Sequence, residues 1–249
     1  ERRREVDSSP QLEEAIAAGT LAFTDDTLLL TQCDQIDVII DATGQVEHGA
    51  HLALGAIKHG KHFISSGAEL DSTMGPILKA KADRAGVVIT GTDGDEPGVA
   101  MNLYRFVETI GYHPVMAGNI KGFIDPYRTP ETQLAFAEKM KQDAPMITSF
   151  ADGTKLSMET CILANATGLA AGRRGMFGHR CEHVNDIIEH FSPDDLLRQP
   201  LVEYALGAQP GTGAFVVGYN DQPFKQQYMQ YFKMGAGPLY VFYTPFHLP

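Results

Sequence analysis

With 249 residues, 43% of them hydrophobic, the chain has material for one large domain or two modest ones, and intrinsic disorder is excluded. Its 31 acidic against 20 basic residues leave a net charge of −11, and no basic run exceeds Arg2-Arg3-Arg4, which argues against nucleic acid or an anionic membrane as partner. No apolar stretch approaches the roughly 20 residues that cross a bilayer, and three scattered cysteines make no disulfide framework, so a soluble protein of the reducing cytoplasm is expected.

The first ninety residues alternate helix and strand. Residues 10–18 predict a helix ended by Gly19, 21–24 a short strand and 28–30 a short helix. The β-branched run IDVIID (36–41) reads as a strand buried on both faces, and 46–59, 61–64, 74–85 and 86–90 follow as helix, strand, helix and strand. That succession predicts βαβ units on a parallel sheet. From Asp93 the texture turns to Gly, Pro and acidic residues (DGDEPG), with Pro97-Gly98 reading as a turn. A helix at 99–110, a strand at 115–121, a polar loop at 122–130, helices at 131–142 and 154–167 and a looser region at 168–206 come next. Strands at 214–219 and 239–243 flank a helix at 224–232. The expected fold class is therefore α/β: a partial Rossmann-type parallel sheet over residues 1–92, then an α+β substrate and dimerisation domain with a mixed sheet over 93–249. The chain has no initiator Met and stops just past a strand-like run, so it is expected to be a piece of a longer protein.

Ligands of open parallel sheets bind outside the carboxyl ends of strands, which puts Ala42, Thr43 and Gly44, just after IDVIID, where small residues would let the backbone approach a flat ring. An ordinary βα turn would look the same. No G-x-G-x-x-G follows a strand, and Gly211-Thr212-Gly213 precedes one, so it reads as a loop without a helix N-terminus for pyrophosphate.

Lys121 ends a strand-like run ahead of Gly122, Asp125 and Arg128; it is either a solvated loop lysine or a cation for a phosphate or a reacting carbonyl. DGTKLSME opens a helix on which Lys155 and Glu159, four apart, share a face, either as a capped ion pair or turned with Asn165 toward a ligand, behind Asp152. Met158, Ile162 and Ala166 are expected to make that helix's core stripe. Arg173-Arg174 lies in a glycine-flanked loop that could clamp a phosphate or be a surface pair. Asp93, Asp95 and Glu96 could offer oxygens to a divalent ion, and His179, Cys181 and His183 have zinc-like spacing, but neither set supports a metal and none is assigned.

The succession IDVIIDATG, AIKHGKHFI, AKADRAGVVITGTDGDEPG, a strand into Lys121-Gly122, and TSFADGTKLSMETCILANATGL resembles homoserine-dehydrogenase-like oxidoreductases over nearly the whole chain. The likeness is greatest to the branch with a C-terminal SAF domain, which includes the 1-deoxy-D-xylulose 5-phosphate reductoisomerase-like enzymes; TDGDEPG, DGTK and YFKMGAGPLYVFYTPFHL carry it. The resemblance implies a homodimeric enzyme using NADP or NAD, whose glycine-rich turn would precede Glu1 and whose SAF domain would follow Pro249. Ala42, Thr43, Gly44, Ser66 and Gly67 would hold the cofactor. Lys121, Lys155 and Glu159 would be catalytic, and Arg174, Asn165, Arg128 and Asp152 would bind an anionic small molecule. The implied reaction is reduction of a small carbonyl or a phosphorylated keto sugar, as in isoprenoid precursor synthesis. Where authentic homoserine dehydrogenases resemble one another in Ala-Asn-Lys, this chain has Ser65-Ser66-Gly67-Ala68-Glu69, which disfavours homoserine. The alternatives are a homoserine-dehydrogenase-type reduction of a semialdehyde and a non-catalytic ligand-binding or assembly module.

Overall fold

Residues 3–246 are described in a computed structural model of the chain, and they segregate into two units, Glu1–Thr92 and Asp93–Pro249. His247 and Leu248, at the end of the diagnostic C-terminal motif, lie outside the described residues.

The first unit runs β1 (Arg3–Glu5), α1 (Ser9–Ala17), β2 (Leu21–Phe23), α2 (Thr27–Gln32), β3 (Val38–Asp41), α3 (Val46–Lys58), β4 (His62–Ser65), α4 (Ala68–Ala85) and β5 (Ile89–Gly91). β1 and β2 pair in parallel, and β3, β4 and β5 form a parallel sheet in that order. In α3 the spacing of Ala53, Ala56 and Ile57 lays one apolar face on Ile39 and Phe63 of the sheet. α4 begins at Ala68, six residues before the predicted start, with Glu69 and Asp71 in its first turn, where the helix dipole favours carboxylates. IDVIID is not buried on both faces: Ile39 and Asp41 are buried, whereas Val38 is 42% and Ile40 65% exposed. The cluster formed with α3 and α4 covers only the Ile39 side of β3. Lys61 is a structural lysine, buried and donating from Nζ to the carbonyls of Cys33 (2.6 Å) and Ile36 (2.7 Å), which leaves no bare charge in the core.

The second unit runs α5 (Glu96–Thr109), β6 (His113–Lys121), α6 (Pro130–Met140), α7 (Ala144–Asp152), α8 (Thr154–Thr167), β7 (Ala170–Ala171), a 3₁₀ segment (Val184–His190), α9 (Pro193–Arg198), β8 (Leu201–Leu206), β9 (Ala214–Tyr219), α10 (Pro223–Tyr231) and β10 (Leu239–Thr244). Its mixed sheet has the order β10-β9-β6-β8-β7, with β6 antiparallel to β9 and parallel to β8. Several elements differ from expectation here, among them α7, which lies between the helices expected at 131–142 and 154–167. Pro97-Gly98 is no turn but the first turn of α5, where proline's fixed φ suits a helix start. The looser region 168–206 contains β8, a neighbour of the central strand β6.

Strand alternation decides what the sheet offers on each face. Ala117, Val202 and Val216 share a cluster with Ala100 of α5 and Leu156 and Leu163 of α8, while Met116, Ile120, Phe215 and Val217 pack with Val184, Ile187 and Leu196 on the other side. Asn119 and Lys121 are in phase with Ala117 and therefore belong to the α8 face. The core stripe of α8 is not Met158, Ile162 and Ala166, the last of which is exposed; it is Leu156, Glu159, Thr160 and Leu163. That rotation carries a glutamate into the interior.

Candidate functional site

The buried face of α8 meets the end of β6 and the start of α5 in a cluster of five ionisable groups. Glu159 is 1% exposed and accepts a 2.6 Å hydrogen bond from Asn119 Nδ2. Lys155, one turn earlier and also buried, brings Nζ to 3.9 Å from Asp95 Oδ2. Asp95 is the residue before the first turn of α5, and Glu96, buried, is that helix's first residue. One carboxylate oxygen each from Asp95, Glu96 and Glu159 lie within 4.8 Å of one another.

Three carboxylates this close cannot all ionise cheaply away from water. Burial, then the charge of Glu96, pushes the Glu159 carboxyl up to about 8, with Lys121 and Lys155 pulling the other way. Burial, then the hydrogen bond and charge of Asp95, pushes Glu96 up to about 7, and Lys121 again opposes. The oxygens could face a cation, but the two lysines already supply that charge, and the cluster is better described as a proton-holding pair of glutamates beside two lysines.

Of the predicted catalytic residues, Lys121, Lys155 and Glu159 come together. Asp95 and Glu96 stood out in the sequence only as acidic loop residues; their partnership with α8 depends on a tertiary contact that spacing does not reveal. Asn119 was missed, though a polar residue two positions before Lys121 in an apolar strand was a legible signal. Asp93 is not in the cluster and accepts a hydrogen bond from Asn102.

The predicted substrate residues divide. Asp152 Oδ1 accepts from Thr154 N (2.7 Å) at the start of α8, and Asp152 lines an open depression of about 290 Å³ with Ile124, Thr154, Met176 and Tyr204. Arg174 is exposed on the loop that carries Gly175 and Met176 to that depression. Its neighbour Arg173 is spent on the loop itself, donating to the carbonyls of Met176 (2.8 Å) and Phe177 (3.2 Å). Arg128 is exposed and paired with Asp125 (2.8 Å). Asn165 is exposed near the end of α8 against Cys161 Sγ (3.9 Å), roughly 9 Å along the axis from Glu159. Neither joins the cluster. His179 stacks on His190 (4.3 Å), and His183 Nδ1 accepts from Asn185 N (3.1 Å), so the zinc-like spacing is used for packing and capping.

In the first unit the predicted cofactor residues are neighbours at the carboxyl edge of the sheet. Asp41 Oδ1 accepts from Thr43 N (3.0 Å) and Thr43 Oγ1 (2.8 Å), and Ser66 N donates to Asp41 O (2.8 Å). Gly44 has φ +67°, and a Cβ on Gly67 would stand 3.8 Å from Gly44 Cα. Ala42 and Thr43 are exposed. Two adjacent strand ends without a bulky side chain fit a flat ring and its ribose.

Residues 94–249, more than half of the chain, match the family of the oxidoreductase DRL catalytic domain. None of the curated proteins compared matches the chain. Among solved structures, an NAD binding oxidoreductase from Klebsiella pneumoniae is 19% identical over 49% of this chain and 34% of its own (TM-score 0.36). A homoserine dehydrogenase from Thiobacillus denitrificans is 23% identical over 67% and 41% (TM-score 0.42). A homoserine dehydrogenase from S. aureus is 18% identical over 58% and 37% (TM-score 0.40). The chain thus spans less than half the length of each.

Proposed function

We propose that the chain, which belongs to the family of the oxidoreductase DRL catalytic domain, carries the acid–base machinery of a nicotinamide-dependent carbonyl reduction in its second unit. The observation that supports this most is the buried glutamate pair, Glu96 and Glu159, which keeps a proton near neutral pH beside Lys121 and Lys155. Ala42, Thr43, Gly44, Ser66 and Gly67 would hold the nicotinamide half of NADPH or NADH, which supplies the hydride. Lys121 polarises the substrate carbonyl and donates a proton to its oxygen as negative charge develops there. The glutamate pair then returns a proton to Lys121, and Lys155 holds Asp95 and the pair in place. Arg174 would hold an anionic end of the substrate at the depression that Asp152 lines, and Lys155, buried against Asp95, is assigned to the cluster instead. Arg128 and Asn165 have no part in this reading. The substrate is a small carbonyl or phosphorylated keto sugar, with a reductoisomerase-like step in isoprenoid precursor synthesis as the favoured case and a homodimer as the working form.

The test is NADPH titration by fluorescence on the full-length protein, followed by NADPH consumption with 1-deoxy-D-xylulose 5-phosphate and, separately, aspartate semialdehyde. Lys121→Ala is expected to lower kcat about 10²–10³-fold while leaving NADPH affinity unchanged. Absence of NADPH binding overturns the proposal; turnover of the semialdehyde alone replaces the keto sugar by the homoserine-type substrate.

A further inference from the structure

The edge of the second unit's sheet is interrupted at one place. Ala171 pairs with Val202, and pairing resumes only at the bridge between Arg180 and Leu206, so residues 172–179 bulge out opposite residues 203–205. An excursion of that size strands backbone donors beside a sheet, and the sequence supplies a buried carboxylate to receive them. Glu203 is 0% exposed; its Oε2 accepts from Phe177 N (2.8 Å), and its Oε1 from Gly178 N and Tyr204 N (2.9 Å each). Successive N–H groups in this arrangement form a nest for an anion, here filled from within the fold. The loop is held on its other side by Arg173, whose guanidinium takes the Met176 and Phe177 carbonyls and lies over the Phe177 ring.

The backbone so pinned is strained. Met176 is buried at φ +62°, in the left-handed region that favours glycine, between Gly175 at +78° and Gly178 at +63°. Such a residue persists only where its surroundings over-determine it, and here they fix the rim of the depression that Met176 and Tyr204 line.

We infer that Glu203 is a positioning residue for the substrate's anionic end, acting through the 173–178 loop to hold Arg174 at the rim of the depression. The inference rests on the role proposed above for Arg174. Replacing the carboxylate by an amide puts an N–H donor against backbone donors, which leaves at least one of them unpaired and frees the loop. The residue does not touch the reacting atoms, so its effect is on binding and not on the proton-transfer step.

The experiment is calorimetric titration of the full-length protein with inorganic phosphate. Arg174→Ala is expected to weaken phosphate binding about tenfold, Glu203→Gln to weaken it comparably, and the double variant to bind no more weakly than Arg174→Ala alone, as for two residues acting through one loop. Wild-type affinity in Glu203→Gln, with affinity lost in Arg174→Ala, overturns the positioning role and leaves the Arg174 reading intact. Wild-type affinity in Arg174→Ala overturns both. Because Glu203→Gln could fail to fold, hydrogen exchange of the wild-type Phe177 and Gly178 amides provides a second readout. Slow exchange is expected, and exchange as fast as that of the exposed Gly175 amide overturns the anchoring.

Discussion

Glu159 and Glu203 are both under 2% exposed in the same unit, and their surroundings separate them. Glu203 is met by three backbone N–H groups, neutral donors that satisfy its two oxygens and do not themselves titrate at ordinary pH. Glu159 is met by one amide donor, two further carboxyl groups and two lysines, and burial with the charge of Glu96 pushes it up to about 8. Burial by itself therefore does not mark a catalytic carboxylate; the donors around it do. A glutamate in a nest builds a loop, and a glutamate pressed against its like stores a proton.

The sharpest way to break that contrast is pH. Glu159 and Glu96 titrate in the folded protein above the ordinary glutamate value of 4.5, so the folded protein binds more protons than the unfolded chain in that window. The stability they contribute is complete below about pH 4.5 and is lost as pH rises through about 7 and 8, the reverse of the usual salt-bridged carboxylate. Taken as one coupled pair, this amounts to on the order of a few kcal/mol, since one pKa unit is about 1.4 kcal/mol. Denaturant melts from pH 5 to 9 should fall along that limb in the wild type and flatten in Glu159→Gln, with the basic limb of kcat altered alongside. An unchanged slope in the variant would remove Glu159 as the proton holder.

The nest region should respond to shape instead. Gly178→Ala places a methyl group against the Tyr204 ring at a φ of +63°, and about 2 kcal/mol of stability should be lost, equally at pH 5 and pH 9. Thermal melts at both pH values check it; a pH-dependent loss would blur the distinction between the two regions.

How much of this was legible follows from the range of the interactions involved. Apart from β1 and the first six residues of α4, the helices and strands of the first unit follow from local periodicity, and Lys155 and Glu159 share a face because four residues make about one turn. What the sequence could not supply was the rotation of α8 about its axis. An apolar count favoured Met158, Ile162 and Ala166, and only packing against Ala100 and Val202 shows that the Leu156 and Leu163 side is inward. β8 was overlooked because LVEYAL carries a glutamate in mid-strand, and that glutamate belongs there only because a loop folded from residues 173–178 supplies its donors. Likewise IDVIID looked doubly buried from composition, although the helices of the described residues cover one side of it. In each case a local rule was overridden by a partner distant in sequence.

Asn119→Ala carries the smallest expected effect and draws the finest line. The amide donates to Glu159 at 2.6 Å from strand β6, and a donor favours the ionised carboxylate. Removing it should cost about 1 kcal/mol, the ordinary net worth of a buried hydrogen bond. It should also move the basic limb of the stability profile upward by less than about one pH unit, because burial and the neighbouring carboxyl groups still dominate. The two changes have opposite consequences at high pH: a proton held more tightly extends the plateau while the lost bond lowers it. Melts of Asn119→Ala beside Glu159→Gln separate them, since without a titrating group at 159 only the lowering remains. A limb that moves downward instead would mean that Asn119 serves the protonated acid, accepting from it rather than donating, and the proton of the pair would then reside on the oxygen that faces β6.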